Sequence, residues 1–197
     1  MVEPGCDGSG GQGSNALIRP ILERLRSLPL NPVIVIDGPS GAGKTTLAVA
    51  LANEIPDSVL VQMDDLYLGW SGLEYGSRHV ARNLLTPRAA GLAGHWQRYD
   101  WEAHELAEWH RVDPRQPLIV EGCGVLSRAA AALTDLRVWL TADDGARKVR
   151  ALARSEGFDE FWDGWETQFS AFVAREHPQR SADFVLDARI GCSGSAD

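Results

Sequence analysis

Gly38-Pro39-Ser40-Gly41-Ala42-Gly43-Lys44-Thr45-Thr46 is the stretch whose residue types and spacing most directly imply chemistry. Its glycines let the backbone wrap so that several N–H groups point inward at phosphate oxygens, with the positive end of a helix dipole behind them. In Gly-x-x-x-x-Gly-Lys-Thr, Lys44 would reach the terminal phosphates of a nucleotide and the Thr45 hydroxyl would hold Mg²⁺. The competing reading is a glycine turn that binds nothing. A phosphate loop, however, needs a strand before it and a helix after it. Val33-Ile34-Val35-Ile36 leads into the loop, and Leu47, Leu51 and Ile55 follow at helical spacing. Both context elements are therefore present.

Three further groups could do chemistry. Asp64 and Asp65 follow the apolar run Val59-Leu60-Val61, and Glu121 follows Leu118-Ile119-Val120. Acids just past the carboxyl ends of strands fall on the edge of a parallel sheet where ligands bind. Two acids in a row also make an ordinary solvated turn. Arg147, Arg150 and Arg154, spaced three and four apart, share one helix face. They could pair with surface acids, as helical charges usually do, or close over a triphosphate. The dense segment from His95 to Val112 holds Trp96, Tyr99, Asp100, Trp101 and Trp109. It fits a small lid or substrate subdomain with short strands, or a rim of packing aromatics.

The elements that must position these groups read as an α/β sandwich. A helix is predicted over 16–28, with Asn15 as its cap and Pro29 and Pro32 as its stop. Strands are predicted at 33–36, 59–62, 118–120, 136–140 and 184–187, with helices behind the glycine loop and over about 77–90, 125–133 and 143–155. Phe158, Phe161, Trp162, Trp165, Phe169, Phe172 and Val173 form a helical stripe read as core. Five apolar strands alternating with helices imply a mostly parallel five-stranded sheet between two helix layers.

Composition narrows the class. The chain has 197 residues, 44% hydrophobic, enough for one well-cored domain, and a formal charge of −8. That charge reads against a general nucleic-acid or anionic-membrane binder. Lys44 and Lys148 are its lysines, so the lysine in the loop is not incidental. Cys6, Cys123 and Cys192 lie far apart without ligand spacing, which argues against zinc or a disulfide framework. No apolar run reaches about 18 residues and no apolar signal region is seen, so a cytoplasmic location is expected. A GTPase would need a guanine-reading Asn-Lys-x-Asp, and neither lysine sits in one. A large ATPase motor would need a longer chain.

With those classes removed, the motifs resemble the uridine kinase family of P-loop kinases, relatives of phosphoribulokinase and pantothenate kinase. The family's Asp-Ser-Phe-Tyr segment is similar to Asp64-Asp65-Leu66-Tyr67, and its Phe-Asp-x-Pro segment to Tyr99-Asp100-Trp101-Glu102, here without the proline. Its Glu-Gly resembles Glu121-Gly122, and its lid arginines those at 147, 150 and 154. The resemblance runs from about residue 30 to 188.

It implies a P-loop NTPase fold and an ATP- and Mg²⁺-dependent phosphotransferase acting on a hydroxyl of a small metabolite, most readily a nucleoside. A nucleoside monophosphate kinase, with Arg78, Arg82 or Arg98 clamping a phosphate, is one alternative; a non-catalytic ATP-binding regulator is another. The resemblance assigns Asp64 as base and as a group near the metal with Thr45 and Glu121. Tyr67, Tyr99 and Asp100 would hold the acceptor, Asp100 suiting a sugar diol. Arg150 and Arg154 would stabilise the transferred phosphoryl group. Asp65 replaces the family's Ser, so it joins the acceptor group, and either carboxylate could be the base. The domain is expected over 15–188 with a substrate or lid insertion at about 67–112, between a disordered tail at 1–14 and a loose tail at 189–197. Expected partners are ATP and the metabolite, with no nucleic acid or membrane and with a homodimer one oligomeric option.

Overall fold

The computed structural model describes residues 10–154 and 157–187. The expected tail at 189–197, most of that at 1–14, and Cys6 and Cys192 lie outside them. The chain is already helical from Gly10, however. Helix α1 spans Gly10–Leu25, so Asn15 lies inside it rather than capping it. A turn then carries Ser27 and Leu28, whose N–H groups donate to the carbonyls of Arg24 and Leu25.

Strand β1 (Val33–Asp37) and helix α2 (Lys44–Glu54) flank the glycine loop. Strand β2 (Val59–Gln62) ends in a tight turn, Met63–Asp65. Helix α3 (Leu73–His79), a π-helical turn (Val80–Leu85) and α4 (Thr86–Ala89) then form one bent rod. The expected single helix over 77–90 starts earlier and widens before Pro87. Proline has no N–H to continue the ladder, and Thr86 donates both its N–H and its hydroxyl to the Ala81 carbonyl.

Strands β3 (Gly94–Asp100) and β4 (Glu105–Val112) make an antiparallel hairpin. There follow β5 (Leu118–Glu121), α5 (Arg128–Ala131), β6 (Leu136–Thr141), α6 (Asp144–Arg154), α7 (Phe158–Glu176), α8 (Pro178–Ser181) and β7 (Phe184–Asp187).

The main sheet has the order β2-β5-β1-β6-β7, and every pairing in it is parallel. Because side chains alternate across a strand, β1 supplies both faces. Val33 and Val35 join one buried cluster with Val61, Leu118, Val120 and Trp139, covered by α3, the π-helical turn and α7. Ile34 and Ile36 join the opposite cluster with Ile119, Leu136 and Val138, covered by α1 and α2. That is the expected three-layer α/β/α sandwich. Strand β1 sits between β5 and β6, where the chain changes direction across the sheet. The crevice at the carboxyl ends of these strands is where such sheets bind ligands.

Candidate active site

The loop after β1 is held from below by Asp37, which is fully buried. Its carboxylate accepts N–H bonds from Gly38 (2.7 Å), Gly124 (3.0 Å) and Leu126 (2.8 Å). One side chain therefore ties the start of the phosphate loop to the turn after β5. Burial pushes its pKa up to about 6 even though those N–H groups and Lys44 pull it down. Sequence reasoning passed over Asp37; an acid closing an otherwise apolar strand directly before Gly38 was the available signal.

The loop itself is packed tightly. Gly41 has φ +76°, and a Cβ there would collide with the Arg147 carbonyl of α6, so only glycine lets α6 approach. Gly43, with φ +93°, opens α2 with no side-chain cap, which leaves the free N–H groups of its first turn for a ligand. Lys44 is buried, and its Nζ donates to the Pro39 carbonyl (3.0 Å) and to Cys123 Sγ (3.4 Å). Burial works against its charge, yet Cys123, Glu121, Asp37 and Asp64 together hold its pKa above the ordinary lysine value.

Thr45 Oγ1 donates to Glu121 Oε1 at 2.8 Å, and Gln62 Nε2 donates to the same oxygen at 3.1 Å. Thr45, Glu121 and Asp64 line one cavity. Their oxygens are the hard donors that suit Mg²⁺. Among the described residues no three His, Cys, Asp or Glu side chains form a metal cage.

Two cavities meet here. The first, about 290 Å³, is lined by Ser40, Gly41 and Gly43–Thr46 of the loop, with Glu121, Cys123, Arg150 and Ala151. The second, about 310 Å³, is walled by Tyr67, Trp70, Trp101, Phe158 and Trp165. Ser40, Asp64 and Arg154 line both. Arg154 Nη2 lies 3.3 Å from Asp64 Oδ2, and Trp101 Nε1 donates to the Asp64 carbonyl at 2.8 Å.

Of the three arginines on α6, Arg150 Nε donates to the Gly41 carbonyl (2.9 Å) and Arg154 reaches Asp64. Arg147 is instead buried between Glu166 and Asp144, whose bonds raise its pKa above the usual arginine value. It anchors α6 rather than facing the cavity.

The expected acceptor residues separate. Tyr67 lines the second cavity, but its buried hydroxyl donates to the Cys123 carbonyl at 2.7 Å, and burial pushes its pKa well up. Asp65, Tyr99 and Asp100 line neither cavity. Asp65 is half-buried; desolvation and the charge of Asp64 raise its pKa. Asp100 caps the hairpin turn through the N–H groups of Glu102 (3.0 Å) and Ala103 (2.9 Å), and pairs with Arg98 (3.2 Å). Tyr99 packs edge-on against Trp101, ring centres 5.5 Å apart. Of the expected acceptor residues only Tyr67 therefore lines the second cavity; the Asp100 carboxylate serves the hairpin turn, and of the two acids in the turn at Met63–Asp65 it is Asp64 that lines the cavities.

No family model matches the chain. It is 28% identical over 136 residues to a uridine kinase of Borrelia turicatae and 27% identical over 136 residues to one of Borrelia hermsii. The match covers 62% of this chain and 66% of each relative, so it spans just under two thirds of their length. A Bacillus stearothermophilus protein described as a possible uridine kinase superposes over 89% of this chain and 97% of its own, with TM-score 0.63 and 20% identity. A Silicibacter protein named for a fructose transport system kinase superposes over 88% and 98%, with TM-score 0.55 and 18% identity. The chain is thus similar in sequence to proteins named uridine kinase and shares its fold with a possible uridine kinase and a fructose transport system kinase.

Proposed function

We propose that this protein is an ATP- and Mg²⁺-dependent phosphotransferase that moves the γ-phosphoryl group of ATP to a hydroxyl of a small metabolite. One observation carries the reading: Asp64 and Arg154 stand together where a phosphate-binding cavity opens into a second cavity of similar size. The loop from Gly38 to Thr46 would cradle the phosphates, with Lys44 on their terminal oxygens. Thr45, Glu121 and Asp64 would hold Mg²⁺, which when bound supplies charge neutralisation across the phosphates.

An acceptor hydroxyl in the second cavity would lie against Asp64. The acceptor oxygen forms the new bond to phosphorus, the bond from phosphorus to the bridging oxygen breaks, ADP leaves, and the hydroxyl proton passes to Asp64. Arg150 and Arg154, on α6 at the rim, would offset the charge spreading over the transferred group. Asp64 is preferred to Asp65 as base because it lines both cavities.

The relatives named uridine kinase make a nucleoside the first acceptor of this kind to assay. A monophosphate acceptor is disfavoured by the arginines that would clamp it. Arg78 pairs with Glu74 (2.7 Å), Arg98 pairs with Glu108 (2.7 Å), and exposed Arg82 lies in a separate hollow with Glu74 and Arg175. No described helix is long and apolar enough to cross a membrane; the cytoplasm is the compartment proposed.

Asp64→Asn tests the reading. A kinase should lose about 10²–10⁴-fold in transfer rate and keep its ATP affinity. Transfer at the unmodified rate would remove Asp64 as base, and a protein that binds ATP while transferring to no acceptor would be the non-catalytic binder instead.

A further inference from the structure

We propose that the acceptor is an uncharged alcohol with a flat apolar body, rather than a nucleoside, a sugar or a phosphorylated metabolite. This rests on the phosphotransferase reading and concerns the second cavity alone. Five aromatic side chains form its wall, and its remaining lining residues, Ser40, Asp64 and Arg154, all belong to the junction with the phosphate cavity. Polar chemistry is therefore confined to the end where the phosphoryl group arrives.

The ring donors elsewhere in the wall are already used. Trp165 Nε1 donates to Ser40 Oγ (3.0 Å), Trp101 Nε1 to the Asp64 carbonyl (2.8 Å) and Tyr67 Oη to the Cys123 carbonyl (2.7 Å). Phe158 has none. Trp70 Nε1 is the one ring donor in this wall without such a partner among the described residues. A nucleoside would bring its base amide groups against these rings, away from Ser40, Asp64 and Arg154 at the junction, where Trp70 Nε1 is the side-chain donor left. Each buried polar group left unpaired weakens binding by roughly tenfold or more. Asp100, the residue suited to a sugar diol, is spent on the hairpin turn. A substrate phosphate would fare worse. Arg154 is the cation on this wall, and it is already shared with Asp64.

The rings instead offer planes and edges. Trp70 stacks on Phe158 with ring centres 4.7 Å apart and planes within 13°, and on Phe161 at 5.2 Å and 12°. Trp101 leans on Trp70 at 4.8 Å, and Trp165 stands edge-on to it at 6.4 Å. Trp70 and Trp101 are only partly buried, so their free surface is open to a ligand ring, which gains both area and offset-stacking contacts there. A volume of about 310 Å³ lies at the small end of ligand pockets. It suits a body of one or two rings carrying a hydroxyl on a short arm toward Asp64.

The test uses the full-length protein with Mg·ATP and a size-matched panel. Tryptophol and 2-phenylethanol represent the proposed class; uridine, cytidine, ribose, glycerate and uridine monophosphate represent the others. Phosphorylated product is read by mass spectrometry, and binding to protein loaded with a non-hydrolysable ATP analogue is read by tryptophan fluorescence. The expected result is kcat/KM at least tenfold higher for an aryl alcohol than for any nucleoside. Trp70→Ala should raise KM for that alcohol about tenfold with kcat within threefold and ATP affinity unchanged. Trp70→Phe, which keeps a ring, should recover most of the loss and guards against a folding defect.

Transfer to uridine or ribose with no binding or reaction of the aryl alcohols overturns this inference and leaves the phosphotransferase reading standing. Tight aryl-alcohol binding without transfer overturns the phosphotransferase reading and with it the acceptor role, and leaves only the ligand class of the second cavity. An unaltered KM in Trp70→Ala also overturns it.

Discussion

The two cavities that meet at Asp64 are nearly equal in size, about 290 and about 310 Å³, and opposite in chemistry. The first is built mainly from backbone and charge. Its loop closes through Gly41 and Gly43 and its cations come from Lys44 and α6. The second is built mainly from aromatic side chains drawn from three separated segments of the chain. The difference has a physical origin. Any nucleotide presents the same phosphates, so one local loop of N–H groups with a lysine suffices to bind them. An acceptor varies from enzyme to enzyme, and shape has to be assembled from distant surfaces.

Disrupting the junction should show the largest effect. Arg154→Ala is expected to lower kcat by about 10³-fold, in the range of arginines that neutralise a transferred phosphoryl group, while acceptor binding by fluorescence holds. A loss below tenfold would mean that Arg154 only pairs with Asp64. On the phosphate side, Asp37→Asn should destabilise the protein by about 2 kcal/mol in urea unfolding, because an amide cannot accept on both sides from three N–H groups.

The same residue predicts a pH signature. Its native pKa is raised from 3.8 to about 6, so the native state holds the proton more tightly than the unfolded chain. That stabilisation is fully present below about pH 4 and is lost as pH rises to about 6. The stability difference between wild type and Asp37→Asn should change across that window and be flat above it. Equal slopes for the two proteins would discard the assignment.

The smallest effect is expected on the aromatic side. Trp165→Phe keeps the ring against Tyr67, whose centre lies 4.8 Å away, but loses the bond to Ser40. It should cost about 1 kcal/mol of stability and alter KM for the acceptor more than KM for ATP. Equal changes in both would show that the two cavities do not work as separate sites.

Legibility in the sequence follows the same division. The five strands were readable because strands buried on both faces are apolar runs, and Val33–Ile36 and Leu118–Val120 are such runs. The phosphate loop was readable because its function depends on residues adjacent in the chain. Asp64 and Glu121 were recognisable as strand-end acids, although nothing local distinguished Asp64 from Asp65. The stripe from Phe158 to Val173 was rightly read as core at Trp162, Phe169 and Phe172, but not at Phe161, which is 42% exposed. Phe158 and Trp165 are also buried, but they line the second cavity as well. Periodicity reports which residues share a helix face and not what that face meets.

Asp37, Cys123 and the Trp165–Ser40 bond were missed because each joins segments far apart in sequence. The Asp37 contact to Leu126 spans 89 residues, and the Trp165 contact spans 125.

The sequence by itself determined the sheet and the glycine loop between its first strand and the following helix, since these rest on local residue types and regular spacing. Tertiary structure alone decided which of two adjacent acids faces both cavities. It decided that Arg147 anchors α6 while Arg150 and Arg154 face the site, and that Asp100 serves a turn. It also brought Trp70, Trp101, Phe158 and Trp165 together around one space. Those outcomes depend on where a hairpin and two helices come to rest against the sheet, a matter of long-range packing that no window of adjacent residues contains.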